Sequence, residues 1–265
     1  MMSLSQDFLE LDEGKVEFKW IRRNPDNPTI IFLHEGLGCL ETWKLFPEQV
    51  ADKTQCNVFV YSRYGYGASG DCSLPRSVNY MHEEARILGR IIHKTGMGEI
   101  ILVGHSDGAS IAAIYAGDNP HAGLLGLVQI APHYFVEDIT IQSISNIRSV
   151  FRESYLRMQL QKYHGDRVDD VFWGWNDIWL NPEFFSWNIS EFLEKISVPV
   201  QTIQCDDDEY GSMAQIEMAR ARISTNVDVC IYPACGHHPF KVCEERALAD
   251  IGDFVSGVIS SSGIS

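Results

Sequence analysis

A repeated alternation of short apolar, β-branched runs with amphipathic helical stretches limits this chain to few folds. The runs TIIFL (29–33), NVFVY (57–61), EIILV (99–103), LLGLVQI (124–130), VPVQTI (198–203) and VDVCI (227–231) read as strands. They are short and almost continuously apolar, the pattern of central parallel strands covered on both faces. Helical patterns lie at 42–51, 79–94, 213–223 and 244–259; in the second, Met81, Ala85, Leu88 and Ile92 form one stripe. Strand and helix alternating in this way imply an α/β fold, a mostly parallel open sheet with helices on both faces. The opening FLELDEGKVEFKWIRR reads as two strands around a turn at 12–14, an antiparallel edge.

Residues 133–197 break the rhythm. No convincing parallel strand occurs there, yet the stretch holds 13 of the chain's 29 aromatic residues, among them Trp173, Trp175, Trp179 and Trp187. An aromatic, helical insertion between two strands reads as a cap over a site, with Trp173, Trp175 and Trp179 as candidate substrate contacts. The plainer alternative is a helical layer packing its own core. The cap reading divides the chain into a core of 1–132 and 198–265 and a cap of 133–197.

Composition narrows the partners. Twenty-one Lys and Arg against 36 Asp and Glu leave a net charge of −15. That balance argues against nucleic acid, whose phosphates need a basic face, and against an anionic membrane surface. No run reaches the ~18 apolar residues of a spanning helix. The first residues carry neither the basic nor the apolar region of a secretory signal. The seven cysteines (39, 56, 72, 205, 230, 235, 243) show no CxxC spacing and fit reduced thiols, several buried as small apolar residues. The expectation is a soluble, acidic protein of the cytoplasm acting on a small molecule.

The sharpest local pattern is Gly104-His105-Ser106-Asp107-Gly108. As a bare G-x-S-x-G it is weak, since this composition produces one by chance in about one chain in seven. Its context is stronger: the strand EIILV runs into it and ASIAAIYAG follows with helix-forming alanines. Strand, tight turn and helix force the serine to a sharp corner with its oxygen exposed. A serine alcohol also needs a base, and the base an orienting acid. Two downstream strands supply candidates, running into Cys205-Asp206-Asp207-Asp208-Glu209 and Cys235-Gly236-His237-His238-Pro239. Both groups fall at the carboxyl edge of the sheet, where open α/β sheets bind ligands. Taken singly, a run of acids is more often a solvated loop, and paired histidines are often surface residues or metal ligands. No HExxH or similar ligand set accompanies them.

Over nearly its whole length the chain resembles the α/β-hydrolase-fold family. The elbow GHSDG matches it residue by residue, with Ser106 in the nucleophile position. The family's His-Gly stretch after the third strand is matched by His34-Glu35-Gly36-Leu37-Gly38, and its Asp-x-Arg-Gly-x-Gly-x-Ser stretch loosely by residues 62–69. The departures are Glu35 for a glycine, Ser62 and Tyr64 for Asp and Arg, and Cys205 for the glycine of Gly-x-x-Asp. The resemblance implies a serine hydrolase with a Ser106–Asp208–His237 triad. It also implies an oxyanion hole from the N–H groups of Gly36 and Asp107, and no metal or cofactor. The leading substrate is a small to medium carboxylic ester with an apolar or aromatic part. Alternatives are carbon–carbon, lactone or amide hydrolysis by the same triad, or a ligand-binding pseudo-hydrolase with negligible turnover.

Two further patterns compete for attention. Gly65-Tyr66-Gly67-Ala68-Ser69-Gly70 is a literal G-x-G-x-x-G, but Asp71–Pro75 continues as a loop where a dinucleotide site needs a helix start. Glu35 and Asp107 place carboxylates near the chemistry. They either hold a substrate ammonium or are taken up internally, Asp107 at its own helix start. An acidic site of that kind disfavours anionic substrates.

Overall fold

The computed structural model describes residues 7–118, 120–152 and 155–263. The strands β1 (Asp7–Leu11), β2 (Gly14–Ile21), β3 (Thr29–Leu33), β4 (Asn57–Tyr61), β5 (Ile100–His105), β6 (Leu124–Ile130), β7 (Val200–Cys205) and β8 (Val227–Tyr232) form one sheet, in the order β1-β2-β4-β3-β5-β6-β7-β8. β2 pairs antiparallel with β1 and β4, and the other pairs are parallel. The helices are α1 (Phe46–Thr54), α2 (Tyr80–Thr95), α3 (Asp107–Gly117), α4 (Asp138–Arg152), α5 (Tyr155–His164), α6 (Val168–Trp179), α7 (Ser190–Leu193), α8 (Met213–Arg222), α9 (Pro239–Val242) and α10 (Glu244–Ser262).

The continuous apolar runs are explained by two cores. Along β3, Ile31 and Leu33 join a core with residues of α2 and α3, while Ile30 and Phe32 join a second with residues of α1 and α10. β4 and β5 alternate in the same way, because successive side chains of a strand point to opposite faces. Both faces are covered, so apolar residues dominate, and polar residues that the sheet buries, such as Gln129 and Gln204, are hydrogen-bonded.

Element ends depart from the sequence reading for identifiable reasons. The runs at 99–103 and 198–203 extend instead to His105 and Cys205, where partners still pair with them (His105 with Ile130, Cys205 with Tyr232). The helix expected at 42–51 starts at Phe46. Pro47 lies in its first turn, where a missing N–H costs nothing, and Leu40–Trp43 forms a separate 3-10 turn. The expectation of reduced cysteines is corrected at one pair: Cys235 and Cys243 are disulfide-bonded, with Cα atoms 6.2 Å apart. Pairing is a matter of space. The chain after β8 doubles back through α9 and brings these two together, while the other five cysteines are free.

Between β6 and β7 run α4 to α7. They contain no named strand among the described residues, only a single antiparallel bridge between Phe135 and Asn188. Aromatic rings hold them together: Phe151 stacks on Phe172 at 3.7 Å, and Phe184 lies against both Trp179 (5.1 Å) and Trp187 (5.2 Å). Among the described residues no helix is long and apolar enough to cross a membrane.

Candidate active site

Four loops at the carboxyl ends of β3, β5, β7 and β8 carry Gly36, Ser106, Asp208 and His237. Ser106 stands between β5 and α3 with φ 53° and ψ −119°. A residue with a Cβ rarely adopts such a conformation, which costs about 1–3 kcal/mol and persists only where surroundings enforce it. They do so here. The Ser106 N–H is bonded to the Ile130 carbonyl (2.9 Å), and a Cβ on Gly104 or Gly108 would run into backbone atoms of 108–109 or 33–34 respectively. The glycines let α3 start directly against β3 and β5.

The acidic run after β7 is resolved residue by residue. Asp206 accepts from the Ala234 N–H (3.1 Å) and Asp207 from the Gly236 N–H (2.9 Å), so both brace the turn that presents the histidine. Asp208 alone reaches the imidazole: both its oxygens lie 2.9 Å from His237 Nδ1. It also accepts from the Tyr210 N–H (2.8 Å) and from Gln204 Nε2 (3.0 Å). Burial by itself would raise the Asp208 pKa. The positive imidazolium and the hydrogen bonds from His237 and Tyr210 outweigh it and bring the net shift below the usual carboxylate value. Burial likewise opposes charge on His237, but the Asp208 carboxylate wins and raises that pKa. With Nδ1–H committed to Asp208, Nε2 is the free acceptor of the neutral ring.

A second buried imidazole ties the loops together. His105 Nε2–H donates to the His237 carbonyl (2.7 Å), linking the end of β5 to the histidine turn. Under the β3 loop, Arg63 is fully buried and its Nη2 donates to the Glu35 carbonyl (2.9 Å). His34 accepts from the Arg63 N–H through Nε2 (3.0 Å) and donates to the Glu35 carbonyl through Nδ1 (2.7 Å). Among the described residues, the N–H groups of Gly36 and Asp107 donate to no protein acceptor. They are unspent donors beside Ser106.

The two acids near the chemistry are taken up internally. Asp107 accepts from Tyr80 Oη (2.8 Å) and lies 3.9 Å from Arg63 Nη2. The Glu35 carboxylate accepts from the Leu37 N–H in its own loop. Glycines 65, 67 and 70 sit in a closed loop: the Gly65 N–H is bonded to the Gly70 carbonyl (2.7 Å) and the Gly70 N–H to the Lys15 carbonyl (2.8 Å), and α2 begins only at Tyr80.

Ser106 and His237, each 7% exposed, open onto a cavity of about 330 Å³. Gly36, Glu35 and Asp107 also line it, with an apolar arm of Ile144, Ile147, Leu156 and Leu160 from α4 and α5. Trp175 and Trp179, one helical turn apart on α6, face it; a Cβ on Gly36 would overlap the Trp175 indole. Trp173 is a correction. It lies two residues before Trp175, on the far side of the helix, packs against Phe151, Phe172, Arg148 and Arg152, and lines a separate groove. His164, at the end of α5, ties this segment to the loops: its Nε2–H donates to the Leu37 carbonyl (2.9 Å) and its Nδ1 accepts from the Gly67 N–H (3.1 Å).

Sequence reading missed His133, Tyr210, Lys44 and Lys241, which line the cavity together with His238, the second member of the histidine pair. Burial holds His133 neutral, its pKa pushed down to about 3, and burial with the Lys241 charge pushes His238 to about 2. His237 is therefore the imidazole among the three that takes a proton near neutral pH. Gln204 was also missed: it is fully buried in β7, and nothing in VQTIQC sets it apart from Gln201. Among the described residues no group of three or more His, Cys, Asp or Glu is placed to hold a metal ion.

Comparisons with known proteins agree with this geometry at the level of fold and family. Protein phosphatase methylesterase 1 of Bos taurus is 25% identical over 149 residues, which cover 54% of this chain and 37% of that protein. The Homo sapiens protein of that name is 24% identical over 148 residues, with the same coverage. The match thus spans little more than a third of those relatives. Similar solved structures include a bacterial membrane phospholipase A (TM-score 0.77, 20% identity, 96% of this chain and 86% of that one). Others are the proline iminopeptidase of Mycobacterium smegmatis (0.75, 16%, 97% and 100%) and an esterase from Exiguobacterium antarcticum (0.74, 15%, 95% and 99%). Those likenesses are of fold. Residues 30–250 match the model of the alpha/beta hydrolase family, and the chain belongs to that family.

Proposed function

We propose that the protein is a serine hydrolase that cleaves a small to medium carboxylic ester through an acyl-enzyme on Ser106. The observation that carries this reading is the His237–Asp208 pair at 2.9 Å, opening onto the same cavity as a serine held at a strained elbow. His237 Nε2 takes the Ser106 proton as Oγ attacks the ester carbonyl, and the N–H groups of Gly36 and Asp107 stabilise the oxyanion. His237 returns the proton to the departing alcohol. Water, deprotonated by the same ring, then releases the acid. Residues 133–197 act as a cap on the core of 1–132 and 198–265, and their apolar arm receives the acyl chain. Support comes from relatives named as a methylesterase and an esterase, and from a cavity volume suited to a small ligand.

Fluorophosphonate labelling read by intact mass is the test. Wild type gains one adduct and Ser106→Ala none, with ester turnover falling by on the order of 10⁶-fold while the fold is retained. A folded wild type that takes no adduct would overturn the reading.

A further inference from the structure

We infer that the alcohol half of the substrate carries an anionic group of the carboxylate class, which docks on Lys44 and Lys241 at the cavity rim. This rests on the ester-hydrolase reading above. Both lysines are exposed and line the cavity that holds Ser106. Among the described residues neither has a carboxylate within ion-pair distance. Packing brings them to one stretch of rim, because Trp43 and Phe46, on either side of Lys44, both lie against Phe240 (4.6 and 5.5 Å), the neighbour of Lys241.

Lys44 is also held in a costly shape. Its φ of 57° and ψ of −126° nearly repeat those of Ser106, in a region that residues with a Cβ avoid. That backbone aims the ammonium across the opening toward α5, where Nζ donates to Tyr163 Oη (2.5 Å) and sits 4.6 Å from the ring centre. Strain of this kind concentrates where a side chain must point at a ligand.

The acids of the cavity lining are engaged, and its lysines are not bound to acids. Asp107 is paired with Tyr80 and Arg63, and the Glu35 carboxylate accepts from the Leu37 N–H and lies near Gly38 and Thr42. At the rim the two lysines stand without a carboxylate partner, Lys44 on Tyr163 and Lys241 over the Phe240 ring, in a chain whose net charge is −15. An anion finds its complement at these two ammonium groups. With the acyl chain in the apolar arm, the opening is left to the alcohol, and there the expectation that an acidic site disfavours anions reverses.

The test uses a matched pair, the hexanoyl esters of 4-hydroxybenzoate and 4-hydroxybenzamide, with fluorophosphonate labelling of Ser106 in parallel. One unit charge a few ångströms away in water is worth about fivefold, and salt screens part of it, so wild type should favour the carboxylate ester by about tenfold in kcat/KM, mostly through KM. The ratio should fall to about threefold in Lys44→Gln or Lys241→Gln and to about one in the double variant, and Arg at both positions should restore it. At 1 M salt, where the screening length is about 3 Å, the wild-type preference should shrink likewise. A wild-type ratio of one or less with stoichiometric labelling, or a ratio unmoved in the double variant, would overturn the rim site and leave the ester reading standing. Absence of both labelling and turnover would overturn the ester reading and this inference with it.

Discussion

The loops after β3, β5, β7 and β8 and the helices between β6 and β7 enclose one cavity but are held by different forces. In the loops the holding is done by hydrogen bonds from backbone and buried side chains together. The Ser106 N–H bonds to Ile130 and the Asp206 N–H to Tyr232, while Asp206, Asp207 and His105 brace the histidine turn and Arg63 and His34 the β3 loop. In α4 to α6 rings do much of the holding, with Phe151 on Phe172 and Trp179 against Phe184, and the polar ties to the rest of the molecule run through side chains, among them Thr140 to the Tyr210 carbonyl and Ser143 to the Glu209 carbonyl. Those ties include His164 to Leu37 and Gly67, and Arg167 to the Gly67 carbonyl (2.5 Å). Hydrogen-bonded loops fix atoms to a few tenths of an ångström, as chemistry requires. Packed rings fix a shape whose details can change by substitution.

The largest effect expected from this contrast is at Asp208. Asp208→Asn keeps the shape but loses the charge and tautomer control of His237, so kcat should fall by about 10⁴-fold. The pH profile gives the sign. Asp208 raises the His237 pKa, and the base works only when neutral, so wild-type kcat/KM should rise with pH through a value above the ordinary ~6.5 of imidazole. In the variant that limb should move to lower pH. An unmoved limb would mean that another group titrates in it.

Next in size is Gly108→Ala. Helix propensity favours the change, yet the new Cβ would collide with the carbonyls of Leu33 and His34, which are backbone and cannot turn away. A net loss of about 3 kcal/mol in urea denaturation is expected. A neutral result would show that β3 can shift and that the elbow is softer than its hydrogen bonds imply.

The same contrast explains what was legible from sequence. Strands covered on both faces write themselves as apolar runs, and three of them, 29–33, 57–61 and 124–130, end where the runs end. The elbow is local, so its glycines and serine sit together in the chain. Choosing Asp208 from three adjacent aspartates depends on a turn 29 residues away, yet the spacing carried by the family resemblance points to the residue that bonds His237. The helices between β6 and β7 were less legible because periodicity shows that a helix has two faces without showing which one meets the cavity. Trp173, Trp175 and Trp179 look equivalent in sequence, and only the packing of α6 on α4 separates the first from the other two. Lys44 and Lys241 had no signal at all, being ordinary surface lysines until the fold placed them at one opening.

A smaller effect is expected in the apolar arm. Ile147, half-buried on α4, lines the arm and has room to grow toward it. Ile147→Phe should shorten the space for the acyl chain and cut the preference for hexanoate over acetate esters of one phenol by about tenfold, with Ser106 labelling unchanged. A proportional loss on both esters would place the acyl chain elsewhere.

Smallest is the counterpart of the Gly108 experiment. Gly174 lies inside α6, and a Cβ there would meet the end of Leu74, 2.8 Å away, whose side chain is 43% exposed and free to swing aside. Alanine is favoured over glycine in a helix interior by about 1 kcal/mol, and moving Leu74 takes back part of that. Gly174→Ala should therefore leave stability unchanged or raise it by less than about 1 kcal/mol, the opposite sign to Gly108→Ala. The two variants measured side by side in urea isolate the difference between a Cβ that meets backbone and one that meets a mobile side-chain end. If Gly174→Ala instead costs as much as Gly108→Ala, the α6 surface is as unyielding as the elbow, and the division between fixed loops at the strand ends and an adaptable helical segment fails.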